Sequence, residues 1–553
     1  MSTDTFDAPV LVVGAGPVGS VLALELARHG TPSVVLERSV RPPRFPKMDY
    51  VNGRSMELLD RLGLSAEIRS RGVAADQPAN FVFTRDASEP PVTVWHYPSV
   101  ADVARGNAAA TDGSTPAQAY QRVQGSLLEQ VVRQAAKDHP LIDLREGCRF
   151  TGFAEAKTET ETGAGAGAEG KGGVTVSVAD GSGASYSMTA RYLVACDGAG
   201  SAVREAAGIS VAATGPPTRH CSLYFTSADP VLRRYGPAFL TVTAKGLNLV
   251  SRDGAHTWTA SFRVEDGQTV SDPVAAMWDR FGLTFAVDEL LDVSHWQGTL
   301  AVAAAYRSGS VFLAGDAAHQ FYPVGGHGAN TGIADAVDLG WKLAAVVSGW
   351  AGLGLLDSYE AERRPVALFN REMCANLMEA WRRFAQLAAL GATREQLAGF
   401  LRQEAYQLDN VGIHFGYRYA GSPVICPVPD GTADSPPPWD WGEVTAVPWP
   451  GGRVPSVRLG GAPLYELLGP GFTLVDLSGA GDGEALACEA AQRDIPLVRI
   501  GNDDAAVRDR WACDLVLVRP DQHVAWRGSG VPPDPGSVLD RACGHAQPQE
   551  ERR

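Results

Sequence analysis

Near its start the chain reads VLVVGAGPVGSVLALELARHG, with Gly14, Gly16 and Gly19 spaced as GxGxxG directly after an apolar run. That pattern can hold a dinucleotide. The first glycine allows a tight turn, the second lets a pyrophosphate approach the backbone, and the third lets helix and strand pack closely. Pro17 and Val18 open the helix whose free N–H groups would face the phosphates. Glu37 ends the next apolar run, where a carboxylate can accept ribose hydroxyls. A second stretch, GDAAHQFYPVGGHGANTG from Gly315 to Gly332, sets one carboxylate and two histidines among glycines. Something must approach this backbone closely, because glycine removes the Cβ that would stand in its way. His319 reads as a paired structural residue, since a buried polar group needs a partner.

These residues need elements to hold them. Val10 to Val13 predicts a strand and the following residues a helix to about His29, stopped by Gly30. PSVVLERS predicts the second strand of a βαβ unit. RSMELLDRLGL and GSLLEQVVRQAAKD predict helices. The region from Phe81 to Gly113 reads as loop-rich, with strands at NFVFTR and VTVWHY. KTETETGAGAGAEGKGG is a low-complexity loop, expected to be flexible and dispensable. ARYLVACDGAGSAVREAAG predicts strand, turn and helix. From Ser210 to Gly298 the pattern turns to strands, as in a separate, mostly antiparallel insert. A helix is predicted to begin near Asn330, and further helices run to about Leu408. Pro427 to Trp441 reads as a linker before a small αβ unit.

Composition narrows the class. The formal net charge of -15 argues against a nucleic-acid partner or an anionic membrane. The eight cysteines show neither CxxC pairs nor zinc spacing, so neither a disulfide framework nor a metal is expected. With no signal-peptide pattern and no apolar run of about 20 residues, a cytoplasmic chain without a membrane span is expected.

Three separated motifs carry a family resemblance: GAGPVGSVLALELARHG…VVLER, YLVACDGAGSAVR and GDAAHQFYPVGGHGANTGIADAVDLGWKLA. Together with RPPRFPKMDYVNGRSMELLDRLGL and QRVQGSLLEQVV, they resemble the group A single-component FAD-dependent aromatic monooxygenases, of the p-hydroxybenzoate and phenol hydroxylase type. The resemblance implies an α/β fold: a Rossmann-like (GR2-type) FAD-binding domain at 1–80, 111–209 and 299–372, with a β-rich substrate domain at 81–110 and 210–298. A helical segment and linker follow at 373–440. Residues 441–545 resemble a thioredoxin-like domain without CxxC, for which stability or subunit contact, as in a homodimer, is implied.

The same resemblance implies roles. Glu37 would bind the adenosine ribose and Arg38 would lie by the adenine. Lys47 falls where relatives often carry an arginine at the pyrophosphate; it keeps the charge without the bidentate fork. Gln124 would approach the ribityl chain. Asp197 and Gly198 form a DG pair linked to FAD and nicotinamide-nucleotide binding. Arg204 belongs to that motif, with a surface salt bridge as its plainer reading. Gly315 and Asp316 would hold a ribityl hydroxyl. Pro323, Gly326, Gly328, Ala329 and Asn330 would form the loop at the isoalloxazine ring, with Pro323 at its reacting face. Tyr322 replaces a proline common in relatives. His327 is the candidate for protonation or substrate contact. Phe81, Phe83, Trp95, Tyr224, Phe239 and Trp258 are candidates to line the substrate pocket, although pockets and cores share aromatic linings.

The chemistry so implied is hydroxylation of a phenolic or polycyclic, polyketide-like aromatic. NADPH (or NADH) would reduce FAD, and O2 would yield a C4a-hydroperoxyflavin. Baeyer–Villiger oxidation or epoxidation is the alternative within the class. A flavin-binding interaction protein without turnover is the alternative outside it.

Overall fold

The computed structural model describes residues 6–155, 172–408, 411–427 and 439–545. The low-complexity loop, apart from its last two residues, and most of the Pro-rich linker lie outside these.

Five parallel strands form the centre of the first layer. In order across the sheet they are Ile142–Glu146, Ser33–Glu37, Ala8–Val13, Ser185–Ala195 and Val311–Leu313. Their runs (VLVV, VVLE, YLVA, VFL) are almost wholly apolar because both faces are covered. Helices Pro17–Arg28 and His327–Val347 pack closely against each other. A Cβ at Gly332 would lie 2.6 Å from Val18 Cγ2 and 3.0 Å from Gly315 Cα. The nucleotide helix and the GD turn therefore meet at residues without room for side chains.

The second sheet has seven strands, ordered Glu289–Gly298, Thr218–Thr226, Thr257–Val264, Leu247–Ser251, Leu240–Thr243, Phe81–Thr84 and Thr93–Trp95. It is antiparallel except for the parallel pair Leu240–Thr243 and Phe81–Thr84. One face is sealed by helix Pro273–Phe281, over Cys221, Leu223, Phe225, Trp258 and Phe262. The apolar end of the other face packs under the long helix Gly354–Ala389 and helix Arg394–Glu404. Within the stretch expected to be loop-rich, Val100–Ala109 is helical, opened by a Ser99–Asp102 capping box. Val100 is its sole buried residue, so no apolar stripe marked it.

The C-terminal sheet runs Leu497–Gly501, Phe472–Asp476, Leu515–Val518, Val524–Gly528, with the first pair parallel and the others antiparallel. It docks on the first layer through Phe472, whose ring meets Trp341 edge-on at 6.1 Å. Buried charges reinforce the joint. Arg519 Nη1 donates to Glu362 at 2.7 Å, and its Nη2 donates to Asp338 at 3.0 Å and Asp521 at 2.6 Å. Lys342 Nζ donates to Asp338 at 2.8 Å and Glu362 at 2.6 Å. Burial pushes the Glu362 carboxyl up, but Arg519 and Lys342 outweigh it and hold the pKa at about 2. Asp338, Glu362 and Asp521 cluster tightly enough to bind a cation; Arg519 and Lys342 already supply the positive charge.

Candidate FAD and substrate site

The three glycines of GxGxxG divide by what surrounds them. A Cβ on Gly14 would lie 2.4 Å from the Cys196 carbonyl oxygen, and one on Gly19 would lie 1.9 Å from the Gly14 oxygen. A Cβ on Gly16 would meet no atom within 4 Å. Gly14 and Gly19 are thus required by protein packing, whereas Gly16 opens onto free space. Helix Pro17–Arg28 starts at Gly16 without a side-chain cap, so its first N–H groups face that space. Glu37 shapes the turn beside it, its Oε2 accepting the Ala15 N–H and its Oε1 the Ser39 N–H, both at 2.8 Å. A carboxylate has further lone pairs for ribose hydroxyls. These residues fit an adenosine pyrophosphate.

The GD turn is fixed from behind. Asp335 Oδ2 accepts the Gly315 N–H at 3.2 Å and lies 2.7 Å from His319 Nε2. Its Oδ1 accepts from Arg363 Nε at 2.8 Å. His319 is therefore a structural partner. Asp316 remains accessible in the groove although protein surrounds it. Dehydration raises its carboxyl pKa, opposed by His319 and Lys47. Arg204 makes no surface ion pair among the described residues. It is buried, donating to the Ala317 carbonyl at 3.0 Å and the Ala199 carbonyl at 3.1 Å, and so ties the DG motif to the GD motif. Asp197 Oδ2 accepts the Val203 N–H at 3.2 Å, while Gly198 takes a φ of +86°.

The flavin-loop helix begins at His327, earlier than the Asn330 expected from sequence, because Gly325 and Gly326 at φ +74° and +70° turn the chain into it. Its first turn has no side-chain cap, and the nearest atom to a Cβ on Gly328 would be Phe321 Cδ2 at 4.0 Å. Gly328 and Ala329 thus leave N–H groups free for an anionic edge. The Asn330 amide is already engaged. Its Oδ1 accepts the Asn52 N–H at 3.0 Å, and its Nδ2 donates to the Tyr50 and Gly326 carbonyls at 3.0 and 2.6 Å. Pro323 is exposed and Tyr322 buried, with Tyr322 Oη donating to the Gly298 carbonyl at 2.7 Å. His327 is buried against His414, ring centroids 5.6 Å apart, and burial lowers its pKa to about 4.

The substrate candidates separate by register. Tyr224 pairs with Thr259 and Phe225 with Trp258, so Trp258 lies on the opposite face from Tyr224, in the core under helix Pro273–Phe281. Phe83 is fully buried, packed on Trp95 at 4.3 Å and Phe384 at 5.9 Å. These two are core residues, a correction to their reading as pocket lining; Trp95 is nearly as buried in the same cluster. Phe81 and Phe239 are half-buried edge to face at 5.6 Å, with Arg122 over Phe239 at 4.4 Å. Tyr224 Oη donates to Gln124 Oε1 at 3.1 Å, which brings the second sheet to the start of helix Gly125–Asp138.

One acid went unread in the sequence. Glu129, one turn after Gln124 on that helix, has its pKa raised to about 7 by burial and by Glu37, against Arg133 and Lys47. Asp335 and Arg363 were also missed. Their signal was an acid inside the apolar helix GIADAVDLGWKLAAVV, which requires a buried cation.

The FAD binding domain family matches residues 7–370, and the aromatic-ring hydroxylase C-terminal family matches residues 447–546. The chain is 33% identical to the FAD-dependent monooxygenase apdD of Emericella nidulans, over 94% of this chain and 88% of that protein. It is 30% identical to the aklavinone 12-hydroxylase RdmE of Streptomyces purpurascens, over 97% and 98%. The rebeccamycin biosynthetic enzyme RebC with reduced flavin superposes with a TM-score of 0.83 at 30% identity, covering 98% of this chain and 99% of that one. The chain belongs to the FAD-binding aromatic-ring hydroxylase family and is a flavoprotein monooxygenase.

Proposed function

We propose that this monooxygenase hydroxylates a phenolic or polycyclic, polyketide-like aromatic compound, with NADPH (or NADH) as reductant. The observation that carries the reading is the junction of the two sheets. Strand Thr218–Thr226 bridges from Gln124, bonded by Tyr224, to Tyr322, bonded by Thr218 beside Pro323. RdmE, of nearly equal length, is named for hydroxylating aklavinone.

Bound FAD supplies hydride acceptance from the nicotinamide nucleotide and the activation of O2. The chain's residues hold and shield it. Gly16 and the start of helix Pro17–Arg28 take the pyrophosphate, with Lys47 adding charge; Glu37 takes the ribose and Arg38 the adenine. Asp316 and Gln124 hold the ribityl chain. Asp197 and Gly198 shape the DG turn beside it. Gly326, Gly328, Ala329 and Asn330 turn the uncapped start of helix His327–Val347 toward the ring's negative edge, with Asn330 acting by bracing the loop. Pro323 faces the reacting side, and Tyr224, Phe81 and Phe239 border the substrate. His327, neutral and turned to His414, positions the loop.

The test is NADPH and NADH oxidation by flavin-loaded protein with a panel of hydroxylated aromatics, and mass spectrometry of the products. Substrate-stimulated oxidation with gain of one oxygen on the ring supports the reading. Insertion beside a carbonyl supports Baeyer–Villiger chemistry instead.

A further inference from the structure

Strand Thr218–Thr226 is pinned at both ends. Tyr224 Oη reaches Gln124 at 3.1 Å, and Thr218 Oγ1 lies 2.6 Å from Tyr322 Oη, next to Pro323. Between the pins, alternation puts His220 and Ser222 on the same face as Tyr224. Ser222 is occupied, since its Oγ accepts the Trp296 Nε1–H at 2.9 Å and lies 2.9 Å from Ser261 Oγ. His220 is half-buried and stacks on Trp296, centroids 4.3 Å apart and planes 13° apart.

Counting hydrogens fixes its tautomer. Tyr322 O–H donates to the Gly298 carbonyl at 2.7 Å, so the hydrogen between Tyr322 and Thr218 comes from Thr218. Thr218 has no second hydrogen. The 2.8 Å contact between Thr218 Oγ1 and His220 Nε2 is therefore an Nε2–H donating to oxygen. Nδ1 is left as a bare acceptor, without a hydrogen-bond partner among the described residues. Burial, and secondarily Arg263, lower the ring's pKa to about 4, so the ring is neutral.

We propose that His220 Nδ1 accepts the O–H of a phenolic substrate and thereby turns an ortho or para carbon toward the flavin. This rests on the aromatic-hydroxylase reading. His220 would orient the substrate without taking its proton, and the chain Tyr322–Thr218–His220 would tie that orientation to the loop carrying Pro323.

The experiment uses flavin-loaded wild type, His220→Phe, His220→Asn and Thr218→Val, with probes from 1-naphthol to alizarin. Readouts are KM, kcat and the share of NADPH lost to hydrogen peroxide. His220→Phe keeps the stack on Trp296 but removes the acceptor. It is expected to keep FAD, raise KM about tenfold, as for one lost hydrogen bond, and divert NADPH to peroxide. His220→Asn, with an amide oxygen near the Nδ1 position, is expected to recover most coupling. Thr218→Val frees the ring proton to move to Nδ1 and should shift KM and coupling in the same direction; it also serves if His220→Phe fails to fold. Wild-type KM and coupling in the folded variants would overturn the assignment alone. A wild type that oxidises none of the probes would overturn the hydroxylase reading and this assignment with it.

Discussion

Arg363 Nε donates to Asp335 Oδ1 at 2.8 Å with both side chains fully buried, while the other Asp335 oxygen accepts the Gly315 N–H at 3.2 Å. The long helix thus holds the GD turn through a carboxylate that no solvent reaches. Removing one partner of such a pair leaves a charge buried and unpaired, at a cost of about 3–5 kcal/mol. Arg363→Met is expected to lower stability by that order and to release FAD, read by thermal unfolding and by flavin fluorescence after gel filtration. A variant with wild-type stability and flavin content would refute the brace.

Gly16 and Gly19 should behave differently. Gly16→Val places its side chain in open space, so the fold should survive while FAD affinity falls tenfold or more, by about 1.4 kcal/mol at least. Gly19→Ala puts a Cβ 1.9 Å from the Gly14 oxygen, so it should destabilise the apoprotein itself. Circular dichroism and FAD titration of both apoproteins separate the cases.

Acid should weaken the protein through two buried imidazoles; Glu129, raised to about 7, takes up its proton first in the folded state and works in the opposite direction. Burial lowers the pKa of His327 to about 4 and of His414 to about 3. Between about pH 6.5 and 4 the unfolded chain binds these protons and the folded chain does not, so stability is complete above 6.5 and falls as pH falls. Each ring contributes on the order of 3 kcal/mol to that loss by pH 4. His414→Leu should flatten the dependence of the melting temperature on pH in this window. An unchanged slope would count against it.

Arg519 joins the C-terminal domain to Glu362, the neighbour of Arg363. Arg519→Met takes the arginine from Asp521 and leaves Glu362 and Asp338 to share Lys342 alone, and should cost about 3–5 kcal/mol. Limited proteolysis should then release the C-terminal domain at temperatures where the wild type resists. Equal resistance would mean that the apolar contact at Trp341 and Phe472 suffices.

Much of this was legible in sequence because the signals are local. GxGxxG and Glu37 sit within one short strand–turn–helix–strand span, and the GD turn within another short span after its own strand. The partners of the buried charges do not: Asp335 and Arg363 stand 28 residues apart, and Glu57 and Arg453 stand 396 apart. Trp258 and Phe83 looked like pocket lining because strand aromatics are ambiguous. Their place was decided by register and by the helices that cover each face, which local pattern does not encode. The early start of the flavin-loop helix was hidden for another reason: Gly325 and Gly326 just before it and Gly328 in its first turn read as loop. His220 and Thr218 gave no motif signal, since their relation to Tyr322 arises only where the two sheets meet.

The most direct test of the hydroxylase account is a turnover of flavin-loaded protein with NADPH and a hydroxylated polycyclic aromatic under heavy-isotope O2. The account predicts a product carrying one labelled oxygen on the ring, formed in proportion to NADPH consumed. Flavin-loaded protein that leaves every such aromatic unchanged, with no labelled product, would contradict it.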